Sequence, residues 1–245
     1  MPQALEQFTF AYEIEEDVPF VSAIVAAGGS SSRMGLNKLL VPLQGIPVLA
    51  RALLTMEQSR LVKEIIVVAR KEDMADVSRM AEQYRVGKLA CVVPGGENRV
   101  LSVAQGLQQC DKTAAYICVQ DGARPLTRPG LVDRVLREAF VKKAAAAAVP
   151  VKDTIKLANE DGQVLSTPAR DVLWAVQTPQ AFAMELYKRA LEQALEQGVY
   201  PTDDCGIVEL AGEKVHLVMG DYGNIKITTP EDLAVARALL EERDH

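Results

Sequence analysis

The stretch VSAIVAAGGSSSRMGLNKLL, from Val21 to Leu40, decides the fold class of this 245-residue chain. It opens on a run of small and apolar residues that does not alternate with polar ones, which is typical of a strand covered on both faces of a sheet. Glycines and serines follow, and the apolar spacing of a helix begins shortly afterwards in IPVLARALLTMEQS, residues 46–59. The order strand, glycine-rich loop and helix predicts the first unit of an α/β fold.

The same alternation of strand-like and helix-like segments continues through the middle of the chain. The strand-like runs are EIIVVA (64–69), LACVV (89–93), AAYICVQD (114–121) and AAAAAVPV (144–151). The helix-like runs are DMADVSRMAEQY (73–84), RVLSVAQGLQQ (99–109) and RPGLVDRVLREAFVKK (128–143). Non-alternating strands separated by amphipathic helices predict a doubly wound, mostly parallel sheet of Rossmann-like type, with helices on both faces. In such folds, ligands bind beyond the carboxyl ends of the strands.

Residues 152–174 break this pattern. Two short β-prone runs flank the dipeptide Asp161-Gly162, which favours a hairpin turn. A hairpin this polar buries little of itself, so it either lies on the sheet or reaches a partner subunit, and we favour the partner. The sequence therefore predicts an inserted β-hairpin arm, residues 152–174, that mediates dimerisation.

The rest of the chain returns to regular elements. They are a helix at 184–198 that ends at Gly198, strands at KVHLVM (214–219) and GNIKIT (223–228), and a last helix that begins at Thr229-Pro230. No composition shift marks a second core. We therefore predict a single domain over residues 21–245, preceded by an acidic N-terminal extension, residues 1–20.

Composition excludes several classes of protein. There are 27 Lys and Arg against 33 Asp and Glu, which gives a formal net charge of −6 and argues against coating nucleic acid or an anionic membrane. No apolar run approaches the roughly 20 residues that span a bilayer. Residues 1–20 carry acids but no Lys or Arg, unlike a targeting segment, so we expect a cytoplasmic protein.

Cysteine and histidine usage narrows the chemistry. The four cysteines show no CxxC spacing and lie mostly within apolar runs, so we interpret them as reduced core residues. With only two histidines, His216 and His245, the chain has little material for a histidine metal cluster or a Ser/His/Asp triad. Lys, Arg, Asp and backbone groups are left to do the chemistry.

Three loops follow predicted strands and are expected to meet at one rim. In residues 26–40, small residues let backbone N–H groups approach a polyphosphate, while Arg33 and Lys38 offset its charge. PGGENRVLSV (94–103) and VQDGARP (119–125) follow later strands. Neither GxxxxGK[ST] nor GxGxxG in register is present, which disfavours P-loop hydrolases and dinucleotide dehydrogenases. Taken singly, each loop could equally be an ordinary turn.

Taken together, the motifs carry a resemblance. They are AAGGSSSRMGLNK, GGENRVLSV, VQDGARP, VKDTIK, ARDVLWAVQTPQAF, TDD and GNIKITTPEDL. In this order and at these separations, from about Val21 to Leu239, the chain resembles the 2-C-methyl-D-erythritol 4-phosphate cytidylyltransferases. The resemblance implies a Rossmann-like nucleotidyltransferase fold and the third step of the non-mevalonate isoprenoid pathway. In that step, CTP and 2-C-methyl-D-erythritol 4-phosphate (methylerythritol phosphate) give the CDP-linked product and pyrophosphate, with Mg²⁺ on the triphosphate.

The resemblance also implies site residues. The catalytic cations are Arg33, Lys38 and Lys226. The cytosine pocket comprises Ala26, Ala27, Gly28, Gly96 and Ser102, with Glu97 and Arg99 beside it. Asp121 lies near the ribose and the acceptor hydroxyls, with a possible outer role toward Mg²⁺. Thr154 and Arg170 on the arm hold the acceptor phosphate from the neighbouring subunit, which makes the enzyme a homodimer with a composite site.

Three positions depart from the family pattern. Ser31 stands where many members have Gly, Asn37 where several have Pro, and Gln120 where His is common. None of these changes removes a charged group that the reaction needs. The nearest alternative function is a cytidylyltransferase for another polyol phosphate such as ribitol 5-phosphate. A sugar-phosphate nucleotidylyltransferase with a purine pocket and a non-catalytic nucleotide-binding protein are the remaining alternatives.

Overall fold

A computed structural model describes residues 18–28 and 38–243 of the chain. Its strands are β1 (Val21–Ala27), β2 (Pro42–Leu43), β3 (Ile46–Pro47), β4 (Val62–Ala69), β5 (Leu89–Pro94), β6 (Tyr116–Asp121), β7 (Ala144–Pro150), β8 (Leu157–Ala158), β9 (Val164–Ser166), β10 (Trp174–Ala183) and β11 (His216–Met219). Seven of them form one sheet in the order β11-β7-β10-β6-β1-β4-β5.

The helices connect these strands. They are α1 (Val48–Gln58), α2 (Met74–Gln83), α3 (Arg99–Leu107), α4 (Pro129–Lys142), α5 (Met184–Gln197), α6 (Asp204–Leu210) and α7 (Pro230–Arg243), with short 3₁₀ turns at Lys71–Asp73 and Arg170–Val172. Within the described part of the chain, no helix is both long and apolar enough to cross a bilayer.

The sheet is parallel except at β10. That strand lies between β6 and β7 and runs antiparallel to both. The predicted mostly parallel α/β sheet is therefore confirmed, whereas β10 and α6 were not predicted. The strand predicted at GNIKIT (223–228) is wrong, because this segment forms irregular structure.

Both faces of the sheet are covered, as non-alternating strands require. In β1, Ala23 and Val25 pack into a core with α1, α2, α4 and α7, whereas Ile24 packs on the opposite face with α3, α5 and α6. All three residues are fully buried. This two-faced packing leaves the carboxyl ends of the strands as the open edge where loops gather.

The segment between β7 and β10 forms the predicted hairpin. Pro150, the last residue of β7, pairs with Trp174, the first residue of β10, so the arm leaves and re-enters the sheet at one edge. Within it, β8 pairs antiparallel with β9 around Gly162, whose φ of +78° suits glycine. Leu165, in β9, is 69% exposed. The arm thus protrudes with apolar side chains in solvent.

The cysteines are free thiols of two kinds. Cys118 and Cys205 are buried, while Cys91 and Cys110 are half-buried. Burial raises the pKa of Cys118 to about 12, which keeps that thiol protonated and unreactive. The interpretation of the cysteines as core residues is thus confirmed for the first pair and only partly for the second.

Candidate active site

A cavity of about 330 Å³ lies beyond the carboxyl ends of β1 and β6. Ten of the residues predicted for the site line it, namely Ala26, Ala27, Gly28, Lys38, Gly96, Glu97, Arg99, Ser102, Asp121 and Lys226. They come from four segments of the chain that are far apart in sequence. The structure therefore brings together the predicted rim loops as far as it describes them.

The end of β1 forms one wall of the cavity. Ala26 pairs in register with Asp121 on β6, and the N–H of Gly122 donates to the Ala26 carbonyl at 2.9 Å. A Cβ on Gly122 would lie 2.9 Å from Leu49 Cδ1. A side chain at position 122 would also lie 3.1 Å from the Ala26 carbonyl oxygen, so glycine lets the two strand ends pack closely after Asp121.

The GGENR loop forms the opposite wall. Asn98 caps α3, since its Oδ1 accepts from Leu101 N–H at 2.9 Å. Ser102 Oγ accepts from Gly96 N–H at 3.1 Å and donates to the Asn98 carbonyl at 2.7 Å. A Cβ on Gly96 would lie 2.5 Å from Leu101 Cβ. Ser102 and Gly96 together fold this loop tightly onto the first turn of the helix.

Asp121 lies at the centre of a group of charged residues, here termed the charged cluster: Arg99, Asp121, Arg124, Asp204 and Lys226. Asp121 Oδ1 is 2.6 Å from Arg99 Nη1, while Oδ2 is 3.0 Å from Lys226 Nζ and 3.3 Å from Arg124 Nε. Burial raises the pKa of Asp121, but the three cations more than offset this and hold it well below the usual range. Asp121 is therefore a fixed carboxylate.

Lys226 reaches the cavity from an irregular segment that hydrogen bonds hold in place. Ile227 N–H donates to the Ala123 carbonyl at 2.8 Å, and Arg124 Nη1 donates to the Asn224 carbonyl at 2.7 Å. Asn224 is fully buried, and its Nδ2 donates to the Thr178 carbonyl at 2.9 Å. These bonds use the backbone groups that a strand would have needed for pairing.

The chain resembles proteins of one family throughout. The family model described as IspD, 2-C-methyl-D-erythritol 4-phosphate cytidylyltransferase, matches residues 21–242. A relative of that name from Caldanaerobacter subterraneus subsp. tengcongensis is 45% identical over 91% of this chain and 99% of its own. One from Pelotomaculum thermopropionicum is 46% identical over 91% and 95%. The structure of 4-diphosphocytidyl-2C-methyl-D-erythritol synthase from Anaerococcus prevotii matches with a TM-score of 0.83 at 35% identity, over 92% of this chain and 100% of its own.

The chain belongs to this family.

Membership in the 2-C-methyl-D-erythritol 4-phosphate cytidylyltransferase family confirms the expected fold and enzyme class. The function is CTP-dependent cytidylyl transfer to methylerythritol phosphate in isoprenoid biosynthesis. The curated relatives do not favour the alternative acceptor ribitol 5-phosphate.

Some predicted residues lie away from the cavity. Thr154 and Arg170 are exposed on the arm and do not line it, and Arg170 Nη1 donates to the Lys152 carbonyl at 3.1 Å. Arg33, Ser31 and Asn37 lie outside the described residues. The predicted composite site of a cytidylyltransferase dimer thus stays a prediction on these positions.

Several residues of the site were not predicted from the sequence. Arg124 and Asn224 belong to quoted motifs but had no assigned role. Thr178 Oγ1 accepts from Asp121 N–H at 3.0 Å, and Asp204 contacts Arg99 at 2.8 Å. Gln120, at the family's common His position, is fully buried and donates to Thr127 Oγ1 at 2.9 Å, so it lies behind the cavity.

A protein-held Mg²⁺ would need several oxygen ligands close together. In residues 18–28 and 38–243, no group of three or more His, Cys, Asp or Glu could hold a metal ion. Both oxygens of Asp121 contact cationic groups, which a metal ion would have to displace. The described residues therefore do not fit a protein-held Mg²⁺, whereas the phosphates of CTP supply oxygen ligands of the kind Mg²⁺ prefers.

Proposed function

We propose that this chain transfers CMP from CTP with Lys38 and Lys226, together with Arg33, stabilising the transferred phosphate. The observation that carries the proposal is that Lys38 and Lys226 line one cavity with the strand end at Ala26–Gly28 and the GGENR loop. An oxygen of the acceptor phosphate attacks the α-phosphorus of CTP, the bond from that phosphorus to the bridging oxygen breaks, and pyrophosphate leaves.

Electrostatics support these roles. The equatorial oxygens of the α-phosphate gain negative charge in the transition state, and fixed cations aimed at them lower the barrier. Lys226 is already held 3.0 Å from Asp121, so little reorganisation precedes the reaction. A phosphate monoester is itself nucleophilic near neutral pH, which explains why the site needs no histidine base.

The base pocket is proposed to comprise backbone and small side chains from Ala26–Gly28 and Gly96–Ser102. Glycine at position 96 keeps the loop close to α3, which leaves a narrow slot beside the strand end. Asp121, as a buried carboxylate, is proposed to orient Lys226 and to face the sugar hydroxyls.

The test is pyrophosphate release by the purified protein with Mg²⁺ and each nucleotide and acceptor in turn. We expect release with CTP and methylerythritol phosphate and none with ATP, GTP or UTP. Lys38→Ala is expected to lower turnover about 100-fold, by analogy with loss of one oxyanion-stabilising donor, and Lys71→Ala on an exposed 3₁₀ turn is the matched control. Wild-type turnover in Lys38→Ala would contradict its role, and release with ribitol 5-phosphate alone would contradict the acceptor.

Mg²⁺ is proposed to enter as its complex with CTP. The support is that the described residues offer no metal cluster, while Asp121 is engaged by cations. We expect a chelator to abolish turnover and Mg²⁺ to restore it, and calorimetry to detect Mg²⁺ binding only when CTP is present. Tight Mg²⁺ binding by the protein alone would contradict the proposal.

The arm is proposed to join two subunits and to present Thr154 and Arg170 to the neighbouring cavity. Its exposed apolar side chains, among them Leu165 and Val164, need a partner to be buried. Leu165→Asp should therefore shift the protein toward monomer in sedimentation velocity. Val141→Asp, at a residue that is 74% exposed on α4, is the control and should leave the mass unchanged. A monomeric wild type would contradict the proposal.

The cytoplasm is the proposed compartment. Four free thiols support it. Fractionation of cells that express a tagged chain should place it with the cytosolic markers, and recovery with the membranes would contradict this.

A further inference from the structure

The charged cluster extends away from the cavity along a buried branch. Arg99 Nη2 lies 2.8 Å from Asp204 Oδ2, and the Tyr187 hydroxyl donates to Asp204 Oδ1 at 2.6 Å. Asp204 is 1% exposed and Tyr187 is fully buried. Neither residue lines the cavity, so any effect of theirs on the reaction passes through Arg99.

Asp204 is held in place from several sides. Its N–H donates to Gln180 Oε1 at 3.1 Å, and it begins α6, whose cap is the neighbouring Asp203. Tyr187 comes from α5, which packs against α6. The carboxylate therefore presents one oxygen to Tyr187 and the other to Arg99 in a fixed geometry.

Arg99 bridges two carboxylates. Its Nη1 is 2.6 Å from Asp121 Oδ1, and its Nη2 contacts Asp204. Burial lowers the pKa of Arg99, but Asp204 and Asp121 raise it above its ordinary value. If the guanidinium turned toward a bound phosphate, it would leave both carboxylates without this partner in a buried place, which is costly.

We propose that Asp204 and Tyr187 are positioning residues that fix Arg99 on Asp121 and thereby keep Arg99 from binding the phosphates of CTP or pyrophosphate. This rests on the proposed function, in which Lys38 and Lys226 bind the transferred group. In this proposal Arg99 holds Asp121 in place, whereas the family resemblance places Arg99 beside the cytosine pocket.

Removal of the Asp204 charge should change the kinetic constants in a pattern that a mere loss of local structure would not produce. In Asp204→Asn, Arg99 keeps only Asp121, a carboxylate that it shares with Lys226 and Arg124, so the cluster gains one uncompensated positive charge beside a cavity that receives anions. Arg99 should then bind phosphates in a non-productive way. Turnover should fall about 10- to 100-fold, the KM for CTP should stay equal or fall, and inhibition by pyrophosphate should tighten about 10-fold, the ordinary range for one charge-assisted hydrogen bond.

The experiment measures kcat, the KM for CTP and the inhibition constant of pyrophosphate for Asp204→Asn, Tyr187→Phe and Asp203→Asn. Tyr187→Phe removes one hydroxyl. It should change each of the three quantities in the direction expected for Asp204→Asn, but by a smaller factor. Asp203→Asn removes the same charge one residue away, where the carboxylate accepts from Gly206 N–H and Gln180 Nε2, and should leave pyrophosphate inhibition unchanged.

A raised KM for CTP with unchanged pyrophosphate inhibition in Asp204→Asn would overturn the proposal, as would an equal tightening of pyrophosphate inhibition in Asp203→Asn. If Asp204→Asn does not fold by circular dichroism, Tyr187→Phe decides the question by the same criteria. An inactive wild type would instead contradict the proposed function. The affinities of the variants for pyrophosphate, measured by calorimetry, would then still test the positioning role.

Discussion

The charged cluster and the arm are both polar regions at the same edge of the sheet, yet they are built in opposite ways. Asp121 and Asp204 in the cluster are buried, and each contacts partners from distant segments of its own chain. Thr154 and Arg170 on the arm are exposed, and the Arg170 guanidinium donates to the Lys152 carbonyl within the arm. The cluster is thus organised before any substrate arrives, whereas the arm presents groups whose proposed partners lie on another molecule.

The two regions therefore prepare groups for the reaction in different ways: the core fixes those of the cluster, whereas those of the arm are exposed. Groups inside the cluster contribute to folding and to the reaction at once, because their geometry depends on the core. Groups on the arm are expected to affect binding without affecting the stability of the subunit.

Replacing an aspartate by asparagine in each region should give the largest difference in the free energy of unfolding. Asp121→Asn leaves three cations without their carboxylate, so we expect a loss of about 3–5 kcal/mol in the free energy of unfolding. Asp161→Asn at the exposed turn of the arm should stay within about 0.5 kcal/mol of wild type. Urea unfolding of both variants measures this, and equal losses would erase the distinction between the regions.

Low pH should remove the contribution of Asp121 to the free energy of unfolding of the wild-type protein. Because the folded pKa of Asp121 is depressed, its contribution is present above the unfolded value of about 3.9 and is lost as pH falls through the folded pKa. The difference in unfolding free energy between wild type and Asp121→Asn should therefore shrink below about pH 4. Urea unfolding between pH 6 and pH 2.5 tests this, and a difference that does not vary with pH would contradict the depressed pKa.

Glycine substitutions probe the two regions sterically. Gly96→Ala places a Cβ 2.5 Å from Leu101 Cβ, so the GGENR loop must shift; we expect a cost of about 1–3 kcal/mol and a raised KM for CTP. Gly162→Ala meets no atom within 4 Å but has a φ of +78°, and should cost about 1 kcal/mol confined to the hairpin. Thermal unfolding and the KM for CTP are measured for both variants. A raised KM for CTP in Gly162→Ala would contradict this expectation, because it would show that the arm shapes the base pocket.

Arg170→Ala should hardly change subunit stability. We expect the unfolding free energy to stay within about 0.5 kcal/mol, while the KM for methylerythritol phosphate rises about 10-fold and the KM for CTP stays constant. Arg189→Ala, at an exposed arginine 3.4 Å from Glu213, is the matched control.

Mixing Arg170→Ala with Lys38→Ala subunits extends this test to the partner molecule. The mixture should regain activity if the arm completes a neighbouring site, because some mixed dimers then contain one intact site. A mixture no more active than its parts would count against a composite site.

Much of the fold could be predicted because its pattern is local. β1 and β6 are mostly apolar without alternation, which follows directly from burial on two faces. β10 was missed because its run WAVQTPQAFA carries Gln177, Thr178 and Gln180 inside the sheet, where their side chains bond to Asn224, Asp121 and Asp204. GNIKIT alternates like a strand, but its backbone bonds to neighbouring loops.

The rim of the site could be predicted from the loops, but its interior could not. Lys38 lies in a loop whose composition suggests phosphate binding, and Gly96 and Asp121 lie in loops that follow strands expected to end at the same rim. The contact of Arg99 with Asp204 joins residues more than a hundred positions apart, and no spacing rule indicates it. The same holds for Asn224, whose side chain bonds to two other segments, the one at Thr127 and the strand residues Gln177 and Thr178.

The place of β10 in the sheet has a consequence for synthesis on the ribosome. β6 pairs with β1 on one side and with β10 on the other, yet β10 is made more than fifty residues after β6. As the chain emerges, β1, β4, β5 and β6 can assemble early, but β6 keeps one unpaired edge until Ala183 has been added. Translation must therefore pass through the whole arm before this nascent sheet can close.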